Sequence, residues 1–176
     1  MRYLFFDTET TRLLENSLMP IEKQPHITEL FMVKFDEHGT ELGSFHSLFL
    51  PPVKLTDEII KITGITPEML EGAPAFRDRL PEIMAFMADA DCLVAHNLAF
   101  DRDMLINEFA RAGGSISFGE LLCTVEATEH LKGFRLSLSD LHEYLFGEKF
   151  EGAHRAEVDV RAMVRCFFEL MKRGEL

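Results

Sequence analysis

The sequence has few cysteines, no long apolar run and no excess of basic residues, and each of these absences excludes a class of protein. The cysteines Cys92, Cys123 and Cys166 are odd in number and lack C-x-x-C spacing, which excludes a disulfide framework and a zinc ribbon and predicts buried thiols. The apolar run before Asp7 is too short for a secretory signal, and no segment approaches the roughly 18 apolar residues of a membrane span. We therefore expect a soluble, cytoplasmic protein without a membrane partner.

The charge of the chain limits how it can hold nucleic acid. The formal net charge is −12, so the chain lacks the basic excess with which proteins usually hold long duplex DNA. Residues 130–176 contain equal numbers of acidic and basic residues, and all of the net negative charge lies in residues 1–129. A phosphate-facing surface in the C-terminal part is thus compatible with the sequence, and short or single-stranded substrates are favoured.

We expect one domain over residues 1–176, because the chain has no repeat, no low-complexity tract and no long linker. Strands are predicted over residues 2–7, 27–35, 42–50 and 92–95, the first three as an antiparallel meander. Helices are predicted to start after Thr56 and Thr66, to run over 75–88 with a disturbance at Pro81, over about 100–112, from Ser137 to Gly147, and over 155–172. This order predicts an α/β fold with a mixed central sheet flanked by helices.

Asp7 and Glu9 stand two residues apart at the end of the first predicted strand. Side chains of a strand alternate between its faces, so both carboxylates point the same way if the strand extends that far. Adjacent acids repel each other, and a bridging divalent cation turns this repulsion into coordination by hard oxygen ligands. Alternatively, Asp7 begins a solvated turn and Glu9 faces water.

Two later clusters also place polar residues where chemistry can occur. The segment His96-Asn97-Leu98-Ala99-Phe100-Asp101 directly follows a predicted strand, although a lone Asp101 also suits the positive end of a helix dipole. His154 and Asp159 are five residues apart, and five residues turn an α-helix by roughly 140° beyond a full turn. If the two act together, His154 lies on the loop before the helix and Asp159 lies within it; otherwise His154 is a solvated loop residue.

Three segments occur in a fixed order along the chain: Phe6-Asp7-Thr8-Glu9-Thr10-Thr11, His96-Asn97-Leu98-Ala99-Phe100-Asp101 and His154-Arg155-Ala156-Glu157-Val158-Asp159. Together they resemble the three exonuclease motifs of the DnaQ-like proofreading exonucleases, DEDDh branch. The resemblance covers essentially the whole chain, including Gly64-Ile65-Thr66, and it implies an RNase H-like fold. One departure is Arg12, where the family commonly has glycine.

The resemblance also implies a role for each of these residues. Four metal ligands, Asp7, Glu9, Asp101 and Asp159, would hold two divalent ions, Mg²⁺ or Mn²⁺, and His154 would be the general base. Metal ions lower the pKa of a bound water and stabilise the attacked phosphate and the leaving oxygen. The motif spacing selects Asp101 over Asp103 and Asp159 over Glu157. The terminal nucleotide is expected at Thr10, Thr11, Ile65, His96, Asn97 and Phe100, of which Ile65 and Phe100 also suit the core.

The activity implied is a metal-dependent 3′→5′ exonuclease that hydrolyses terminal phosphodiester bonds of DNA at single-stranded or mismatched ends and releases nucleoside 5′-monophosphates. Its partners would be the 3′ ends of single-stranded DNA or RNA. Alternatives are an exoribonuclease or oligoribonuclease, and a proofreading subunit that acts with a polymerase or another replication or repair protein. A catalytically silent binding domain is a further alternative, although it has no chemical need for the whole motif set. The sequence leaves the oligomeric state open and is compatible with a homo-oligomer.

Overall fold

A five-stranded mixed sheet lies at the centre of the computed structural model, which describes residues 1–176. The strands are β1 (Arg2–Thr10), β2 (Ile27–Asp36), β3 (Glu41–Leu48), β4 (Cys92–Ala95) and β5 (Glu120–Cys123). Their spatial order is β3-β2-β1-β4-β5; β2 is antiparallel to both of its neighbours, and β1, β4 and β5 run parallel. The predicted mixed sheet, with three antiparallel strands followed by parallel ones, is confirmed.

Seven helices flank the sheet. They are α1 (Asp57–Thr63), α2 (Pro67–Leu70), α3 (Leu80–Met87), α4 (Leu98–Arg111), α5 (Thr124–Ala127), α6 (Leu138–Phe146) and α7 (Ala156–Arg173). Short 3-10 turns occur over Ile21–Lys23, Phe76–Arg79 and Glu129–Leu131. No helix has the length and apolar character needed to cross a membrane.

The side chains of β1 alternate between two cores on opposite faces of the sheet. Leu4 and Phe6 belong to the core that α4 completes, and Tyr3 and Phe5 belong to the core that α7 completes. Because a strand has a period of two, this alternation continues beyond the apolar residues. Odd-numbered positions of β1 therefore face α7, and even-numbered positions face α4.

The predicted helix ends are largely confirmed. The hydroxyls of Thr56 and Ser137 accept the backbone N–H three residues later, at 3.3 and 3.1 Å, and so cap α1 and α6. Gly64 and Gly147 end these two helices in the left-handed conformation, at φ 69° and 77°. Thr66 directly precedes α2, but its side chain does not cap that helix.

Several elements differ from the sequence prediction, among them β1, the segment 75–88 and β5. β1 runs to Thr10 instead of residue 7, because it stays paired with β2 as far as the contact of Thr10 with Ile27. The segment predicted as one helix over 75–88 divides into a 3-10 turn and α3, and Pro81 lies in the first turn of α3, where its missing N–H costs no hydrogen bond. The edge strand β5 was not predicted, since its four residues show no burial alternation.

Candidate active site

Asp7 and Glu9 lie on the same face of β1, which confirms the orientation predicted from their spacing. β1 stays paired with β2 through both positions, with Asp7 opposite Phe31 and Glu9 opposite Glu29. Both are odd-numbered positions and face α7. No protein group donates a hydrogen bond to either carboxylate, so the half-buried Asp7 and the buried Glu9 have no hydrogen-bond partner.

The helix α7 brings a third acid to this pair. Asp159 lies in the first turn of α7, and one carboxylate oxygen from each of Asp7, Glu9 and Asp159 lies within 4.8 Å of the other two. The competing acid Glu157 is exposed instead and lies 3.6 Å from an arginine of the same helix. Three converging carboxylate oxygens are a suitable set of ligands for a hard divalent cation.

Asp101 approaches β1 from α4, on the other side of the sheet. It is only 3% exposed, and its Oδ1 accepts hydrogen bonds from the backbone N–H of Thr8 at 2.9 Å and from the Thr8 hydroxyl at 2.7 Å. The competing acid Asp103 lies at the surface in an ion pair with Arg102 at 2.8 Å. Thr8 therefore holds Asp101 close enough for its charge to act on Asp7, although Asp101 is not one of the three acids whose oxygens converge, while Asp103 faces solvent.

The electrostatics of this site oppose the ionised form of its acids. Burial, reinforced by the negative charges of Asp101, Glu9 and Asp159, raises the pKa of Asp7 well above its ordinary value. Burial and neighbouring acids likewise raise the pKa of Glu9 to about 8. For Asp101, burial raises the pKa to about 7 although hydrogen bonds from Thr8 oppose the shift. Burial also raises the pKa of Asp159, against the opposing hydrogen bond from the His154 N–H. Added positive charge would stabilise all four carboxylates.

His154 lies on the loop immediately before α7, as the five-residue spacing to Asp159 predicted. Its backbone has φ 68°, and its N–H donates a hydrogen bond to Asp159 Oδ2 at 2.8 Å. The next residue, Arg155, is the N-cap residue of α7. His154 is exposed to solvent.

Glu29 is a residue of this region that the sequence interpretation missed. It lies on β2 directly opposite Glu9, is 0% exposed, and accepts hydrogen bonds from Arg155, from the Ala156 backbone N–H and from His46. Burial acts to raise its pKa, but these hydrogen bonds outweigh burial and lower the pKa below its ordinary value. The signal in the sequence was a single charged residue within the apolar run of residues 27–33.

Thr10 and Thr11, expected to receive the terminal nucleotide, are buried at the end of β1. The Thr10 hydroxyl donates a hydrogen bond to the Arg12 carbonyl at 2.8 Å, and the Thr11 hydroxyl accepts one from the His26 N–H at 3.0 Å. The Arg12 guanidinium binds Glu15 at 2.9 Å and also contacts the Lys23 carbonyl. Arg12, where the family commonly has glycine, thus stabilises the loop that follows β1 through these contacts.

The other four expected nucleotide contacts differ in exposure. Asn97 is exposed in the left-handed conformation at φ 64°, just before α4. His96 donates to or accepts from the Thr124 hydroxyl at 2.9 Å, and burial lowers its pKa to about 4. Phe100 packs partly against the core, and Ile65 is fully buried, which favours the core interpretation of Ile65.

Known proteins similar to this chain include a DNA polymerase III PolC-type from Halalkalibacterium halodurans. It is 32% identical over 174 residues, which cover 97% of this chain and 11% of that protein. This chain therefore spans about a tenth of the length of such relatives. Two solved structures share its fold. The nuclease domain of 3′hExo, described as a DEDDh family member, has a TM-score of 0.81 and 17% identity, and the match covers 98% of this chain and 92% of that one. E. coli ExoI in complex with single-stranded DNA has a TM-score of 0.80 and 18% identity, and the match covers 98% of this chain and 41% of that one.

A family model described as exonuclease, RNase T, matches residues 4–167. The matched range contains β1 with Asp7 and Glu9, α4 with Asp101, and the start of α7 with His154 and Asp159. The fold that this chain shares with the nuclease domain of 3′hExo is the predicted RNase H-like fold. On this basis the chain belongs to the exonuclease family.

Proposed function

We propose that this chain is a metal-dependent 3′→5′ exonuclease that hydrolyses terminal phosphodiester bonds of DNA at single-stranded or mismatched ends and releases nucleoside 5′-monophosphates. The observation that carries the proposal is the acidic group of Asp7, Glu9 and Asp159, whose carboxylate oxygens lie within 4.8 Å of one another. Buried acids that repel each other destabilise a fold unless a bound cation offsets the repulsion. A phosphodiester is an anion that the same cations would attract.

The donor set fits two divalent cations, Mg²⁺ or Mn²⁺. Asp7, Glu9 and Asp159 form a group of carboxylate oxygens, the donors that hard cations prefer, and the group contains no sulfur or imidazole donor. Asp101, whose charge acts on Asp7, would add a fourth carboxylate. Thr8 occupies only Oδ1 of Asp101 and leaves Oδ2 available. When bound, the ions supply charge stabilisation of the phosphate and a lower pKa for the attacking water.

His154 is proposed as the general base. Its exposed imidazole lies next to the acidic group, and its backbone N–H is held by Asp159 at 2.8 Å. An imidazole in that place can accept the proton of the attacking water and release it to solvent. The hydrogen bond to Asp159 keeps the base close to the carboxylates while its ring stays free to move toward a substrate.

We assign the terminal nucleotide to the edge of the sheet where β1 and β4 end, with contacts from Thr10, Thr11, Ile65, His96, Asn97 and Phe100. Ligands of α/β folds bind at the carboxyl ends of parallel strands, and β1 and β4 are parallel. Asn97 is the most accessible of these residues, because it is exposed between β4 and α4. The buried residues of this set would support the exposed surface that contacts the nucleotide.

A second candidate function is proofreading beside a polymerase. It is favoured by the PolC-type relative, whose name is that of a DNA polymerase and of which this chain corresponds to 11%. A partner would supply the positively charged DNA-binding surface that this chain, with its net charge of −12, lacks. Trimming of RNA is the third candidate, favoured by the fold shared with a nuclease domain bound to rAMP.

The test is digestion of matched 5′-labelled single-stranded DNA and RNA oligonucleotides with Mg²⁺, Mn²⁺ or EDTA. We expect a metal-dependent ladder that shortens from the 3′ end and is absent for Asp7→Asn. Asp103→Asn is the matched control, because Asp103 lies on α4 near Asp101 but faces solvent in an ion pair with Arg102.

Each result separates the candidate functions. Faster shortening of DNA supports the DNA exonuclease, and faster shortening of RNA replaces it with an exoribonuclease. No shortening by folded protein would overturn the proposal in favour of a silent domain, unless activity returns when a replicative polymerase is added.

A further inference from the structure

Two buried glutamates face each other across β1 and β2. Glu9 and Glu29 are directly opposed in the register of these strands, yet no protein group donates a hydrogen bond to Glu9, whereas Glu29 is surrounded by donors. Burying a charge without partners is very costly, so the partners of Glu29 must account for its presence at 0% exposure.

Four donors occupy the Glu29 carboxylate. Oε1 accepts from Arg155 Nη2 at 2.9 Å and lies 2.8 Å from His46 Nε2. Oε2 accepts from Arg155 Nε at 3.1 Å and from the Ala156 N–H at 3.2 Å. A carboxylate offers about four acceptor sites, so Glu29 has no capacity left for a metal ion, in contrast to Glu9.

The partners of Glu29 are the first residues of the segment that carries the chemistry. Arg155 follows His154 directly and is the N-cap residue of α7, and Ala156 is the first residue of that helix. Three residues further on, Asp159 accepts the His154 N–H. Any shift at the start of α7 therefore displaces both His154 and Asp159 relative to β1.

We propose that Glu29 is a positioning residue that clamps the start of α7 to β2 and thereby sets the distance of His154 and Asp159 from the carboxylates of β1. This inference rests on the proposed function. The clamp is planar and has two points, because the guanidinium of Arg155 presents two N–H groups to two oxygens. Glu29 touches neither substrate nor metal and acts through Arg155.

The first test replaces Glu29 by Gln and measures kcat and KM on a single-stranded oligonucleotide with Mg²⁺. A misplacement of about 1 Å can lower a rate up to about 100-fold, so we expect kcat to fall roughly 10- to 100-fold while KM stays close to that of the wild type. Binding of Mn²⁺, followed by calorimetry, should persist in Glu29→Gln and be lost in Asp7→Asn. Loss of Mn²⁺ binding in Glu29→Gln would overturn the proposal and make Glu29 a ligand.

Glu108→Gln is the matched control for the loss of a buried carboxylate. Glu108 is 5% exposed on α4 and accepts hydrogen bonds from Arg111 at 2.7 Å and from the Ile27 N–H at 3.1 Å, away from His154. Both variants should lower thermal stability, but only Glu29→Gln should lower kcat. Equal kcat values for both variants would assign Glu29 a purely structural role and overturn the inference.

Arg155→Ala tests the same clamp from its solvent side, since the Arg155 side chain is 37% exposed and folding should tolerate its loss. We expect the same kcat defect, and the double variant with Glu29→Gln should show no further loss, because both changes break one interaction. Additive defects would contradict the clamp.

If the wild type has no nuclease activity, the proposed function fails, whereas an active wild type with unaffected Arg155→Ala and Glu29→Gln variants overturns this inference alone.

Discussion

The protein contains two kinds of buried or half-buried acid, and they differ in the hydrogen-bond donors that the fold provides for them. Glu29 and Glu108 each receive hydrogen bonds from an arginine and from a backbone N–H. Asp7 and Glu9 receive none, and burial together with mutual repulsion raises the pKa of both. Glu29 and Glu108, each paired with an arginine, hold elements together, whereas Asp7 and Glu9, which receive no donor, remain available for an external cation.

The largest effect on activity should follow from removing an acid that receives no hydrogen bond, such as Asp7. Asp7→Asn should lower kcat by about 10³-fold or more, because it removes one of the proposed metal ligands. The same variant should raise the melting temperature of the metal-free protein, since it relieves repulsion with Asp101 and Glu9. Single-turnover digestion and melts in EDTA measure the two quantities; a variant with full activity would break the comparison.

The next effect should come from His154, the proposed general base. His154→Ala should lower kcat roughly 10²- to 10⁴-fold with little change in KM, because general-base catalysis contributes about that much. Added imidazole should restore part of the rate, since the side chain is exposed and leaves an accessible space. Full activity in the variant, or a loss confined to KM, would assign His154 to substrate binding instead.

Substitution of Glu108, an acid that accepts hydrogen bonds within the fold, should lower stability and leave kcat unchanged. Glu108→Gln weakens the bonds to Arg111 and to the Ile27 N–H, and the free energy of unfolding should fall by about 1–3 kcal/mol. Each kcal/mol lowers the melting temperature by roughly 2–4 °C in a protein of this size. Thermal melts and oligonucleotide digestion check both halves; a loss of kcat would show that the two kinds of acid are not separable.

The smallest effect is a pH dependence of the metal-free protein. Folded Glu9 has a pKa of about 8 against an ordinary value of 4.5, so between these values the folded state binds more protons than the unfolded state. Stability should therefore fall as pH rises from about 5 to 8, by at least about 1 kcal/mol. Melts in EDTA measure the fall, which Mg²⁺ and Glu9→Gln should each reduce. A flat or rising curve in EDTA would contradict the assignment.

Much of the geometry of the candidate site could be predicted because it depends on local periods. The period of two on β1 places Asp7 and Glu9 on one face, and the helical turn angle places His154 before α7 and Asp159 within it. The length of β1 was underestimated, because its polar end carries no apolar pattern and is defined by pairing with β2. β5 was missed for a related reason, since a four-residue edge strand leaves no period to detect.

The sequence by itself determined the residue types of the site, the faces on which they lie within their own elements and the caps that end α1 and α6. Only the tertiary structure decided which elements meet: that α7 docks against β1, that Thr8 receives Asp101, and that Glu29 binds Arg155. The physical reason is the distance along the sequence over which each feature is determined. Local periods follow from backbone geometry over a few residues, whereas Glu29 and Arg155 are 126 residues apart and meet only after the strand order and helix packing are set.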